Sequence, residues 1–360
     1  MSFSLIDPST LAELRQAYLQ QNLTLYLGAG VSLGSGLPTW NQLVLAMYFR
    51  AASGDWKGRW SPYPNYLYAI AEWQLQRGHE PLEITARKIR HFYSSDAEFF
   101  DDLRHTLYAG LSDESSGRWE YPEASMLRAG NATLDGVAEL CWQTEVNGSG
   151  LHAVITYNYD NLLETVTDGS QCPFLPVWKS SRSLTANQRP IIHVHGYIPA
   201  LGESSSPDEI VFTEQQYHAA AHSPYSWSNL SQIQCLSASV GLMVGLSLSD
   251  RNMRRLLDAM RITPLRKRQF AILRKPEWEQ PKSEDLEEIH KKAVSYIELF
   301  VRSGAKKSWA GRSEEMLGIF QVLNSFEEHN YNKLLLEMGI TPIWYSDHKE
   351  VRQLLQSILT

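Results

Sequence analysis

Apolar positions recur along the chain with two periods. Leu11, Leu14 and Tyr18 fall on one face of a helix predicted from Asp7 to Gln21, which Asp7 or Ser9 can cap. Leu23-Thr24-Leu25-Tyr26-Leu27 is a short, nearly continuous apolar block, as in a strand covered on both faces. It ends in a loop holding Gly28, Gly30, Gly34 and Gly36. Thr39-Trp40-Asn41-Gln42 has the form of a capping box and opens a helix running to about Ala52. From Ser53 to about Gly150 only helices are predicted: Tyr66–Gly78, Pro81–His91, Asp96–Gly110 and Ala124–Val146.

After Gly150 strands and helices alternate. The predicted strands are Ala153–Tyr157, Ile191–Val194, Ile210–Phe212, Gly241–Gly245, Gln269–Leu273 and Pro342–Ser346. The predicted helices are Tyr159–Val166, Thr213–Ala221, Ser226–Ser239, Arg251–Arg261, Asp285–Arg302, Glu314–Met338 and His348–Leu359. Alternation over this length implies an α/β fold: a Rossmann-like parallel sheet with helices on both faces. Residues 1–52 and 150–360 are expected to build it, with residues 53–149 as an all-helical insertion. Ligands of such sheets bind beyond the strand C-termini, where the strand order reverses.

Composition narrows the chemistry. The chain has 360 residues, a formal charge of −7 and a pI near 5.9. That balance disfavours wrapping nucleic acid, which needs clustered Lys and Arg. Cys141, Cys172 and Cys235 stand far apart, which excludes a four-cysteine zinc module and suits a reducing cytoplasm. No signal peptide and no run of apolar residues long enough to span a membrane is evident, so a cytoplasmic protein with no membrane contact is expected.

Four predicted strand ends carry polar or glycine-rich elements. Gly28-Ala29-Gly30-Val31-Ser32-Leu33-Gly34 is one residue longer than the dinucleotide fingerprint and lacks the Lys of a P-loop. Asn158 and Asp160 follow the strand ending at Tyr157, where either also suits a helix cap. His193 and His195 alternate along the next strand, and Gly196 follows. A buried core histidine is the simpler reading for each, and no third ligand for a metal is evident. Gly245, Ser247, Ser249 and Asp250 close the fourth element ahead of a helix, where Ser249 or Asp250 can serve as its N-cap. Each element has a structural explanation by itself. Four such explanations coinciding on one sheet edge is a weaker account than a binding site.

In this order, GAGVS, TYNYD, HVHG and GLSLSD resemble the sirtuin-type NAD-binding domain. Gly36-Leu37-Pro38 is similar to the turn that follows the sirtuin glycine loop. The zinc module of sirtuin deacylases is absent, and Tyr157 replaces the usual Gln. The pattern, with Trp40 after Gly36-Leu37-Pro38 and the late stretch GITPIWYSDHKEV from Gly339, resembles more closely the bacterial sirtuin-like NADases of antiphage defence.

That resemblance implies hydrolysis of NAD to nicotinamide and ADP-ribose, with NAD as substrate and no zinc or other metal. It places the diphosphate on the backbone of Gly28, Ala29, Gly30, Val31 and Ser32, bordered by Leu37 and Pro38, with Trp40 shielding the pocket. Asn158 would orient the nicotinamide ribose and a water, Asp160 would hold the carboxamide, and His195 would take a proton. Tyr157 would line the site, and Gly245, Ser247 and Asp250 would serve the adenosine side. It also implies an abortive-infection effector, a homo-oligomer, and a separate activator such as a HerA-like hexameric ATPase or an Argonaute. A non-catalytic NAD or ADP-ribose-binding regulatory subunit, a nuclease subunit and a protein deacylase are the alternative readings.

Overall fold

The structure is a computed structural model that describes residues 6–53, 70–75, 81–111, 122–145, 148–169, 172–261, 267–276 and 313–360. Helix α1 (Pro8–Leu19) starts where Asp7 accepts the Thr10 N–H and Pro8 occupies the first turn. Then come β1 (Leu23–Leu27), a glycine loop of two 3-10 turns, and α2 (Trp40–Ser53). The Thr39 and Gln42 side chains cap α2 reciprocally, as the capping-box pattern predicts.

Next are α3 (Leu82–Arg90), α4 (Asp96–Leu107), α5 (Ala124–Gly130) and α6 (Ala132–Trp142). Residues 70–75 are also helical. The remaining strands are β2 (Leu151–Thr156), β3 (Phe174–Val177), β4 (Arg189–His193), β5 (Val240–Val244), β6 (Gln269–Arg274) and β7 (Ile340–Tyr345). Between and after them lie α7 (Leu162–Thr167), α8 (Glu214–His222), α9 (Trp227–Ala238), α10 (Arg251–Arg261), α11 (Ser313–Glu337) and α12 (His348–Leu359).

The seven strands form one parallel sheet in the order β3-β4-β2-β1-β5-β6-β7, surrounded by helices. Central β1 and β5 are buried at every position, as their apolar sequences require. Both outermost strands carry a proline, Pro176 in β3 and Pro342 in β7, where a missing N–H leaves no gap in an inner ladder. The sheet grows from β1 to one side through β2, β4 and β3, then to the other through β5, β6 and β7. The strand order therefore reverses between β1 and β5.

Two compact units divide the chain. One comprises Met1–Arg274 with Met338–Thr360, and so includes the sheet together with α3 to α6. The other is Lys275–Glu337, whose described part is chiefly α11.

Several elements differ from the sequence-based expectation. The helix predicted over Ala124–Val146 breaks at Asn131, which has extended dihedrals and caps α6 by accepting the Leu134 N–H. Its Nδ2 also donates to the Val31 carbonyl at 2.8 Å and to Ser35 Oγ at 2.9 Å, so the break props the glycine loop. Ile210–Phe212 is a buried connection instead of a strand. It makes one ladder-like bond, from Val211 N–H to the His195 carbonyl, and Tyr159 Oη donates to the Val211 carbonyl. The edge strand β3 went unpredicted because it is short and contains proline. The helix predicted over Asp285–Arg302, and both ends of that over Tyr66–Gly78, lie outside the described residues.

Gly245 tests how tightly this fold is closed. It has φ +67°, and a Cβ there would stand 2.6 Å from the Val31 nitrogen. Gly245→Ala is expected to lower stability by about 2 kcal/mol or more, combining left-handed strain with backbone collision. Gly130, in α5 with open space around it, should tolerate Ala with a gain of up to ~1 kcal/mol. Urea denaturation midpoints of the two variants check the contrast.

Candidate active site

The loops after β1 and β5 meet at the point where the strand order reverses. Gly28 N–H donates to the Val244 carbonyl at 3.1 Å and Gly30 N–H to that of Gly245 at 2.9 Å. A Cβ on Gly28 would lie 2.6 Å from the Gly245 oxygen, and one on Gly30 2.7 Å from the Gly245 Cα. These glycines therefore let two backbones touch. Gly36 does the same toward the helical segment: a Cβ on Gly110 would overlap the Gly36 carbonyl oxygen. Val31 and Ser32 N–H groups close turns onto Gly28 and Ala29. Four of the five amides expected to face a diphosphate thus already have internal partners, and the loop is held in one shape.

Leu37 is buried beside this loop, and Pro38 leads into the capping residues of α2. Trp40 packs against Phe212 and Tyr217, at centroid distances of 6.2 and 6.5 Å.

The end of β2 supplies the second element. Asn158 Nδ2 donates to the Gly28 carbonyl at 3.0 Å and lies 3.2 Å from Ser32 Oγ. Ser32 Oγ in turn donates to Asp160 Oδ2 at 2.9 Å, and Asp160 Oδ1 accepts the Leu162 N–H at 3.1 Å. Asn158, Asp160 and Ser32 thus form one network tying β2 to the glycine loop. Asp160 is buried, and the loss of hydration pushes its carboxyl up to about 6, against the pull of the Leu162 and Ser32 hydrogen bonds. One Asp160 oxygen holds the glycine loop and the other the start of α7.

The two histidines part company. His193 ends β4 fully buried, with Nε2 2.7 Å from Glu164 Oε1 and Nδ1 3.1 Å from the Asn158 carbonyl. It fixes the backbone of Asn158 from behind, a role for which Glu164 had given no signal beyond lying in the same short motif. His195, two residues on, sits with Nε2 3.3 Å from Asp250 Oδ2. Its ring meets Tyr157 and Tyr217 edge-on at 5.1 and 5.7 Å. Burial lowers the His195 pKa, and the Asp250 carboxylate works against that shift. Gly196, at φ +98°, makes the turn, where a Cβ would strike Ile210.

Asp250 caps α10 through Oδ1, which accepts the Met253 N–H at 2.6 Å. Ser247 Oγ lies 2.6 Å from Ser249 Oγ on the exposed tip of the same loop. Tyr157 Oη donates to Gln232 Oε1 at 2.6 Å within the interior. The structure therefore gathers Gly28, Ser32, Asn158 and Asp160 in one hydrogen-bonded set. It gathers His195, Asp250 and Tyr157 in a second, at the neighbouring strand ends, with Tyr217 of α8 against them. Tyr217, Gln232, Glu164 and Asn131 were not read from sequence. Their types carry no local pattern, and only the tertiary fold brings them here.

Among the described residues no group of three or more His, Cys, Asp or Glu could hold a metal ion. No helix among them is long and apolar enough to cross a membrane.

Residues 152–297, less than half of the chain, match the family model of the SIR2-like domain. SIR2-like domains use NAD, so the match supports a sirtuin-like family and NAD-related chemistry. The matched span runs from β2 past β6 and contains Asn158, Asp160, His195 and Asp250. No curated protein matches the chain.

The buried Asp160 gives a pH signature. Its carboxyl is raised on folding from 3.8 to about 6, so between those values the folded state holds a proton that the unfolded chain has released. The stability contribution of Asp160 should therefore fall as pH rises from about 4 to about 6, by roughly 3 kcal/mol at most, and level off above. Asp160→Asn should remove that slope, which urea denaturation of both proteins across pH 4–7 measures as a difference.

Proposed function

We propose that this protein is an NAD+ hydrolase that cleaves the nicotinamide–ribose bond and serves as the effector of a bacterial antiphage system. The observation that carries the reading is the combination of Asn158 and His195 on adjacent strand ends beside the β1–β5 crevice. A binding module needs the crevice but not this pair. The SIR2-like match over residues 152–297 supports NAD as the ligand.

The chemistry asks little of the protein in acid catalysis. Nicotinamide leaves NAD+ as a neutral molecule, so no group has to protonate it. The transition state has oxocarbenium character, and what it needs is a fixed ribose, a placed water and an acceptor for the water's proton. Asn158, held by Gly28 and backed by His193, is suited to hold the ribose and the water. His195, kept neutral by burial, is suited to accept the proton. Asp160 and Ser32 hold the loop against which the dinucleotide lies. Trp40, packed on Phe212 and Tyr217, would shield the pocket, and Ser247 would serve the adenosine side.

Unchecked NAD+ loss would kill the host cell, so control belongs to the reading. The segment of residues 53–149, an interface between copies of the chain, and a separate activator such as a HerA-like hexameric ATPase are the proposed means. Tyr108 supplies a physical route from that segment. Its Oη lies 2.8 Å from both Asn161 Oδ1 and the Ile198 carbonyl, so it bridges the loops that follow β2 and β4.

The wild-type protein, alone or with its activator, should convert NAD+ to nicotinamide and ADP-ribose, quantified by liquid chromatography. Asn158→Ala and His195→Ala should each lose about 10²–10⁴-fold in rate while circular dichroism shows the fold retained. A wild type that neither binds NAD+ by calorimetry nor consumes it with any activator would sink the proposal.

A further inference from the structure

Asp250 stands apart from the role that its sequence position suggested. It belongs to the loop after β5, on the side expected to meet adenosine, yet neither carboxylate oxygen is turned to that task. Oδ1 caps α10. Oδ2 is buried, makes no aligned hydrogen bond, and lies 3.3 Å from His195 Nε2. A separation within ion-pair reach but off the hydrogen-bond axis is common for such pairs before substrate tightens the site. A buried carboxylate oxygen with no other partner is costly, which makes an N–H on the facing imidazole nitrogen the favoured arrangement.

The surroundings strengthen this. The His195 ring is flanked by Tyr157 from the end of β2 and by Tyr217 from α8. Burial drives both phenols well above their ordinary range, and the Asp250 charge adds to that shift, so they stay neutral beside it. Tyr159, also buried, feels the same carboxylate. Glu83 of α3 and Arg251 act on Tyr217 from further out, and they pair with each other at 3.2 Å. The nearest charge facing the imidazole is therefore Asp250.

We infer that Asp250 is the positioning residue of a carboxylate–imidazole dyad, holding His195 with its proton on Nε2 and presenting the bare Nδ1 as the proton acceptor. The inference rests on the hydrolase reading for the reaction that the dyad serves. In that reaction the C–N bond breaks and its electron pair leaves on the nitrogen of neutral nicotinamide. A water oxygen bonds to the anomeric carbon. The water's proton passes to His195 Nδ1 and then to solvent. The Asp250 carboxylate stabilises the imidazolium in between. A carboxylate at this distance offsets part of the burial penalty on the imidazolium.

The test uses the full chain with 15N-labelled histidine. Long-range 1H–15N spectra report tautomer and titration for each imidazole, and loss of one set of signals in His195→Gln assigns His195. Asp250→Asn is the probe, since Asn also caps helices well and retains the bond to Met253 N–H. The expected result is an Nε2–H tautomer in the wild type. In Asp250→Asn the His195 pKa should be lower by about one unit or more. Where NAD+ is consumed, kcat should fall about 10²-fold with little change in KM, and the acid limb of kcat/KM should move to lower pH.

An unchanged tautomer and pKa in Asp250→Asn would overturn the dyad. So would a raised KM for NAD+ with kcat intact, which would return Asp250 to substrate binding. A wild type that shows the dyad in its spectra but consumes no NAD+ would keep the dyad and strike the hydrolase reading instead.

Discussion

The structure depends on backbone meeting backbone at the reversal of strand order. β1 and β5 lie side by side, and the loops leaving them stay bonded for two further amides. This works only because Gly28, Gly30 and Gly245 have no side chains to separate them. On the far side of the same loop, Gly36 presses on Gly110 and the Asn131 amide grips the Val31 carbonyl. A loop clamped from both sides has little freedom left to lose when a ligand arrives, and such preorganisation favours affinity.

Polar burial does comparable work at the neighbouring strand ends. Asp160, His193, Glu164, His195 and Asp250 would each be expensive in an apolar interior if isolated. They are arranged as short-range partners instead: Asp160 with Ser32, His193 with Glu164, His195 with Asp250. The first two pairs fix the backbone and side chain of Asn158. The third sits beside them under the tyrosine rings. Rigid placement and tuned proton affinity thus come from one set of contacts.

The architecture was largely readable from periodicity. β1, β5 and β6 announced themselves as unbroken apolar runs, and α10 and α12 fell at the predicted limits. What misled was local chemistry overruled by tertiary context. Ile210–Phe212 is apolar because it is buried, not because it pairs as a strand. Ala124–Val146 has helical spacing throughout, but Asn131 gains more from capping α6 and bonding the glycine loop than from continuing the helix. At the site, sequence located the strand ends that matter. It did not show that Gly28 and Gly30 also serve close packing against Gly245, because a bare loop for phosphate and a bare loop for backbone contact look alike in one dimension. The partners Gln232 and Tyr217 come from distant segments, and Glu164, though close to Asn158 in the chain, meets His193 only through the tertiary fold, so no spacing rule reveals them.

The placement of β1 has a consequence for synthesis. It leaves the ribosome well ahead of its two neighbours, β2 and β5, which begin at Leu151 and Val240. Until β2 emerges the central strand has no ladder at all, until β5 emerges it has one on a single side, and contacts so distant in sequence close slowly. The crevice between the first and fifth strands is therefore assembled late in translation. A chain interrupted before Val240 carries most of the fold's mass yet none of that crevice, so the candidate site cannot form in a nascent or truncated product.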